Sequence, residues 1–207
     1  MADSKISALT NYAVPLAGAD IIPIVDTTNS QTKGITLAEL HAMFTNQSVT
    51  SQGAGFASDT YLTGSNILLP GAPFVGTTYK LWFDVVKTGA GTATPIISVR
   101  VGTAGAIGDT AILTFTFGAG TAAADTGIFS VLATFRTVGA STSAVLQGQS
   151  GLISNLTTTG LSNAKKALQV TSSGFNSTVA NSYIGASYNG GASASHTVQL
   201  VRAELIL

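Results

Sequence analysis

Residues 79–86 read Tyr-Lys-Leu-Trp-Phe-Asp-Val-Val, and this stretch indicates the fold class. Large side chains at positions 79, 81, 83 and 85 alternate with Lys80, Trp82 and Asp84. In a β-strand successive side chains point to opposite faces, so a period of two gives one apolar face and one mixed face. The stretch therefore predicts a strand with one buried face.

The same alternation recurs at Leu113–Phe117 and at Phe129–Arg136. Further apolar runs predict strands at Ile67–Leu69, Ile96–Val101, Ser143–Gln149, Ala167–Thr171, Tyr183–Tyr188 and Thr197–Leu207. Glycine-rich turns separate these runs, and no helical period is long enough for a crossover between parallel strands. We therefore predict a mainly β fold, an antiparallel β-sandwich like a jelly roll, with an immunoglobulin-like topology as the alternative.

The first 48 residues have a different pattern. Ile21–Val25 is a short extended run interrupted by a proline, and Thr36 and Glu39 have the spacing of a helix capping box. That box predicts a short helix over residues 37–44, and the polar, aperiodic residues 46–55 are typical of a connector. We predict an N-terminal anchor segment at residues 1–48 and a β-sandwich domain at residues 49–207.

The charge content is unusual for a folded domain. Charged residues make up 9% of the chain and hydrophobic residues 45%, and nine Lys and Arg balance nine Asp and Glu. The basic residues form no stripe, so we expect no nucleic-acid partner and no membrane partner. A net charge of zero gives weak protection against self-association, which predicts a surface partly buried against copies of the chain or another protein.

The sequence offers little catalytic chemistry. It contains no cysteine, and neither His41 nor His196 has a companion at metal-ligand spacing, so each is predicted to be a surface or capping side chain. Asp84, Asp109 and Asp125 are the carboxylates that a glycan hydrolase would need, but the last two flank glycines as turn residues do. We therefore predict no catalytic residue, no metal and no cofactor.

Aromatic side chains are the better candidates for contact with a partner. Trp82 lies on the opposite face of its predicted strand from Phe83, so it points outward if Phe83 is buried. An outward tryptophan serves as an interface anchor or as a stacking platform for a carbohydrate. Tyr183 and Tyr188, which Asn and Gly residues flank, are further candidates for contact with an interface or a host-surface glycan.

Three pieces of the N-terminal segment, Lys5–Leu9, Leu16–Val25 and Thr32–Leu40, resemble a short module at the start of many tailed-bacteriophage virion proteins. Those proteins include tail fibres, head fibres and decoration proteins, and the module attaches a displayed domain to the particle, often as a trimer. The resemblance covers about the first 45 residues. It implies particle-anchoring roles for Ile6, Leu9, Ile21, Ile22, Pro23, Ile24, Leu37 and Leu40.

The resemblance implies a non-catalytic virion protein, a capsid decoration (cement) protein or a head fibre, displayed as a homotrimer and bound to other capsid or tail proteins. We expect it to be made in the host cytoplasm, because its N-terminus resembles neither a secretory signal nor a membrane span. The alternative is a short tail or baseplate fibre that binds a host-surface receptor. The lack of shaft repeats favours the first, and a glycan depolymerase is the third hypothesis.

Overall fold

The computed structural model describes residues 21–26, 31–69, 71, 73–89, 91–164, 166–191 and 196–207. The chain divides into two compact units, residues 1–43 and 44–207. Of the described residues, 53% are in strands and 5% in a helix, which confirms the predicted mainly β class. Within the described part of the chain, no helix has both the length and the apolar character needed to cross a membrane.

The N-terminal unit contains a hairpin followed by a helix. Strands β1 (Ile21–Asp26) and β2 (Gln31–Thr36) pair antiparallel, and helix α1 (Leu37–Phe44) follows directly. The amide of Glu39 donates to Thr36 Oγ1 at 3.1 Å, and the amide of Thr36 donates to Glu39 Oε2 at 2.8 Å. These reciprocal bonds satisfy amides that a helix start leaves unpaired, and the predicted capping box and helix are confirmed.

The remaining described strands belong to the second unit. They are, in chain order, β3 (Thr45–Ser48), β4 (Gln52–Gly55), β5 (Thr60–Tyr61), β6 (Ile67–Leu68), β7 (Thr78–Lys87), β8 (Ile96–Gly102), β9 (Thr110–Thr116), β10 (Asp125–Thr137), β11 (Val145–Ser154), β12 (Ala167–Thr171), β13 (Tyr183–Asn189) and β14 (His196–Ile206).

Two antiparallel sheets form this unit. The large sheet has the order β12-β11-β10-β7-β14-β3, with β4 also paired to β14, and the small sheet has the order β5-β13-β8-β9, with β6 also paired to β13. The chain passes from β7 in the large sheet to β8 and β9 in the small sheet and returns at β10. With β11 and β12 set aside, this is the order of a jelly roll, the predicted topology.

The alternating side chains of both sheets meet in one core. Phe83 of β7 and Phe129 of β10 stack with ring centroids 5.2 Å apart, and Tyr188 of β13 packs 5.4 Å from Phe129. All three side chains are fully buried. Because rings from the large sheet touch a ring from the small sheet, burial of apolar surface holds the two layers together.

Residues 46–55 differ from the predicted connector. Strands β3 and β4 pair with β14, and the chain divides between Met43 and Phe44 rather than after Ser48. Edge strands obtain backbone hydrogen bonds from one neighbour and need no row of large apolar side chains. The polar sequence of this stretch therefore gave no strand signal.

Candidate interaction surface

The outer side of the large sheet, here called the open face, carries the most prominent exposed apolar side chains of the sheets. Its outward side chains, on four strands, include Lys80, Trp82, Asp84, Ile128, Ser130, Leu132, Arg136, Gln149, Ile153, Leu200, Arg202 and Glu204. Ile153 is 76% exposed, and Ile128, Leu132 and Leu200 are between 37% and 43% exposed. Because successive side chains of each strand alternate between the core and the outer side, these residues point outward.

The register brings several of these side chains together. Ile128 lies opposite Ile153 on β11 and opposite Asp84 on β7, and Asp84 lies opposite Leu200 on β14. Directly opposed residues have Cβ atoms about 5 Å apart. The four residues therefore form one row across four strands, mostly apolar with a single carboxylate.

Trp82 points outward, as predicted, since Phe83 beside it is fully buried. The Nζ atom of Lys80 lies 4.1 Å from the centroid of the Trp82 ring, a cation–π contact. Register places Trp82 between Ser130 and Arg202, and Arg202 pairs with Glu204 at 2.9 Å. The indole is therefore half-buried and held in place by neighbours on the same face.

The open face is uneven, with depressions between these side chains. One lies over Gly151, where the strand has no side chain, and Leu132, Gln149 and Gln169 line it. A second is lined by Asp84, Ile128 and Ile153, among others. A surface with knobs and depressions of this kind can interlock with another protein surface.

The outer side of the small sheet, here called the covered face, is different. Its outward side chains include Arg100, Tyr183 and Ser187. Arg100 donates from Nη1 to the carbonyls of Ile107 and Asp109, at 3.1 Å and 2.6 Å, and from Nε to Ser187 Oγ at 2.8 Å.

The Arg100 guanidinium also pairs with Asp59. Every arm of the guanidinium is thus used within the domain. Among the described residues of this sheet's strands, Leu68 is the one exposed large apolar side chain.

Tyr61 packs beside Gly185 on the covered face. A side chain at Gly185 would collide with the Tyr61 ring, so the ring lies directly against the sheet backbone. Burial, and then the nearby Asp109 charge, raise the pKa of Tyr61 to about 12. Tyr183, one of the predicted contact residues, lies half-exposed on this face.

Asp109 lies in the turn before β9, as predicted, whereas Asp125 is the first residue of β10. The Asp109 carboxylate accepts hydrogen bonds from the amides of Ala104 and Ala106, which closes the glycine-rich loop before β9. Asp125 accepts from the amides of Thr126, Leu156 and Leu161, which ties the loop after β11 to the start of β10. Both carboxylates are buried and hold loops in place.

The prediction for His196 is wrong. Its ring is 2% exposed, and the Tyr188 hydroxyl lies 2.9 Å from His196 Nδ1. Burial, and then the charge of Lys87, lower the pKa of His196 to about 4. It is therefore a neutral core side chain at neutral pH rather than a surface or capping residue.

The contact role predicted for Tyr188 is also wrong. Its side chain is completely buried between the sheets, where it packs on Phe83 and Phe129. It cannot reach a glycan or a partner without unfolding of the core. Its sequence context of Asn and Gly reflects the turn that follows β13, and the inward position of Tyr188 follows from the strand's register.

Lys87 is a buried cation that sequence reasoning missed. Its Nζ donates to the carbonyls of Gly89, Thr121 and Ala123, at 3.3, 2.5 and 2.9 Å. Burial lowers its pKa, and Asp125 opposes that effect. Its position at an inward point of the alternating strand was the available signal, since residues 79, 81, 83 and 85 point the same way.

The predicted anchoring residues lie in the N-terminal unit. Ile6 and Leu9 are outside the described residues, and Ile21, Ile22, Pro23 and Ile24 belong to β1. Leu37 and Leu40 lie on α1, and both are half-buried. Ile21 is 70% exposed and Pro23 is exposed. This unit therefore presents apolar side chains at its surface.

Among the described residues, no cluster of three or more His, Asp or Glu side chains has an arrangement that could hold a metal ion. Comparison with known proteins found no family model that matches this chain and no matching curated protein.

Proposed function

We propose that this chain is a non-catalytic structural protein of a tailed-phage virion, a capsid decoration or head-fibre protein. Its N-terminal segment docks on the particle, and its jelly roll is displayed outward in several copies. Two grounds support the proposal. Residues 5–40 resemble virion-attachment modules, and the two units have exposed apolar side chains and polar groups that are engaged within the fold.

The observation that carries the proposal is the exposure of apolar side chains in the N-terminal unit. Ile21 is 70% exposed and Met43 of α1 is 49% exposed, while Leu37 and Leu40 are half-buried. A unit of about 40 residues cannot enclose a sufficient core of its own. Apolar side chains left at its surface suit contact with another protein, as docking on a particle requires.

The polar groups of the sandwich support a structural role. Asp109, Asp125 and His196 are all buried, and each is engaged by hydrogen bonds that hold loops or the core. A hydrolase of glycans needs two carboxyls facing a cleft that admits substrate. These carboxylates face backbone amides instead.

Binding to particles tests the docking role. Full-length protein is added to purified particles of the encoding phage that lack this protein, and co-sedimentation measures binding. We expect Ile21→Glu to weaken binding at least about tenfold, because a charge would be placed in an apolar contact. Thr116→Glu, an exposed position on β9, is the matched control and should bind like the unmodified protein.

Failure of the unmodified chain to bind, or equal binding by both variants, would contradict the docking role. Gold-labelled antibody against the chain then gives its position on the particle. Label over the head surface supports a decoration or head-fibre protein, and label confined to the tail tip contradicts it.

A short tail or baseplate fibre is the second candidate function. The half-exposed Trp82 and Tyr183 favour it, since aromatic rings at a surface can stack on sugars. This function predicts that purified protein adsorbs to host cells and competes with infection. Trp82→Ala should then reduce adsorption, and no adsorption to susceptible hosts would contradict it.

A further inference from the structure

We infer that the open face of the jelly roll binds a second copy of this chain. The inference deepens the proposed function and rests on its display of the domain in several copies. It assigns the contact between copies to Trp82, Ile128, Leu132, Ile153 and Leu200.

The apolar character of the open face is the first argument. Four of its large apolar side chains are more than a third exposed, and register places three of them in one row with Asp84. On the strands of the covered face, Leu68 alone among the described residues is comparable. Contiguous exposed apolar patches on soluble proteins mark interaction sites more often than chance would.

The size of the open face is the second argument. The four strands that carry the open face, β7, β10, β11 and β14, have 10, 13, 10 and 11 residues. At about 3.4 Å per residue and 4.8 Å per strand, the face measures roughly 37 by 19 Å, or about 700 Å². A specific protein–protein interface of standard size buries about 800 Å² on each partner.

The charges select a second copy as the partner. Lys80 and Arg202 are matched by Asp84 and Glu204 in the centre of the face, while Arg136 lies towards the end of β10. A surface with balanced charges is complementary to itself when one copy is rotated against the other. A face with balanced charges has no net charge to attract a strongly acidic or basic partner. The chain's net charge of zero adds no long-range repulsion between copies.

Sedimentation velocity of the full-length chain, over about 1 to 100 µM, tests the inference. We expect the unmodified chain to associate, and Ile153→Lys to lower its association constant at least about tenfold per contact, since like charges would meet between copies. Thr116→Lys adds the same charge to the covered face and should leave association unchanged. Because Ile153 is largely exposed, the variant should keep its fold, which circular dichroism checks.

A second measurement does not depend on that variant. The chain contains no cysteine, so a single Gln149→Cys change places one pyrene label on the open face. We expect excimer emission from this labelled chain at concentrations where it associates, and none from Thr116→Cys labelled in the same way. Trp82 is the single tryptophan, so its emission should shift to longer wavelength as the unmodified chain is diluted and dissociates.

A monomeric unmodified chain across this range would overturn the inference, as would association that is indifferent to Ile153→Lys with no excimer at Gln149→Cys. The docking role is tested separately by the particles. If the Ile153→Lys variant is monomeric but still binds particles, both the contact between copies and the docking role stand. If Ile21→Glu associates normally and the unmodified chain fails to bind particles, only the docking role falls.

Discussion

The open face and the covered face belong to two sheets that share one core, yet their outward side chains differ in exposure and in the contacts they make. On the open face Ile128 and Ile153 stand exposed, and Arg202 is bonded to Glu204, a neighbour on its own strand. On the covered face Arg100 is bonded to two backbone carbonyls and to side chains of two other segments.

The difference separates two uses of a sheet surface. Polar groups that cross-link segments, as Arg100 does, stabilise the domain and leave little for a partner. Apolar side chains that stay largely exposed, as Ile153 does, add little to the stability of one copy and can bury surface against another protein. Four substitutions test this contrast between the two faces.

The largest effect is expected from Phe129→Ala, because Phe129 touches both sheets behind the two faces. Its ring lies 5.0 to 5.4 Å from those of Phe83, Phe117 and Tyr188. The cavity should reduce the free energy of unfolding by about 3–5 kcal/mol in chemical denaturation. Its neighbour Ile128 points to the open face, so Ile128→Ala should cost less than about 1 kcal/mol. Equal costs would refute the assignment of inner and outer sides.

A smaller effect is expected from Arg100→Met on the covered face. The change leaves Asp59 and two carbonyls without their donor in a partly buried site, which should cost about 2–4 kcal/mol of unfolding free energy. Arg202→Met on the open face removes one exposed ion pair and should cost about 0–1 kcal/mol. If thermal and chemical unfolding give the two variants the same loss, the contrast between the faces is wrong.

Acid should weaken the core behind the open face through His196. Its pKa is lowered to about 4 in the folded state, while the unfolded chain binds the proton near pH 6.5. The unfolded state thus holds more protons as pH falls from about 6.5 to 4, and His196 should remove about 2–3 kcal/mol over that window.

His196→Gln is the control for the acid effect, because it can bond Tyr188 but cannot titrate in this window. Urea unfolding of both proteins at several pH values gives the difference due to His196. A difference that is constant with pH would contradict the buried, neutral state of the ring.

The smallest effect is expected from Lys80→Gln, which removes the cation above Trp82. The contact is half-exposed, so unfolding free energy should fall by less than about 1 kcal/mol, while the emission of Trp82 should change. Arg136→Gln removes a charge further along the same face and should leave the emission unaltered. Identical spectra for Lys80→Gln and the unmodified chain would remove this contact from the open face.

Much of this fold was predictable from local patterns. The alternation in residues 79–86 predicted β7 and the outward side of Trp82, and the Thr36–Glu39 spacing predicted α1. Both signals act between residues close in sequence. Strands β3 and β4 were not predictable because they pair with β14 from the other end of the chain, and the burial of His196 was not predictable because its strand pairs with the distant β4 and β7.

Local sequence patterns were enough to predict the β class, the inward and outward sides of the long strands and the start of the helix, since side-chain period and capping are properties of neighbouring residues. Which side chains of different strands become neighbours depends on the tertiary structure. Register set Ile128 beside Ile153 and aimed Arg100 at Asp59, and it hid Tyr188 and His196 in the core. Such contacts depend on how distant strands pair, because residues on separate strands become neighbours only when backbone hydrogen bonds fix that pairing.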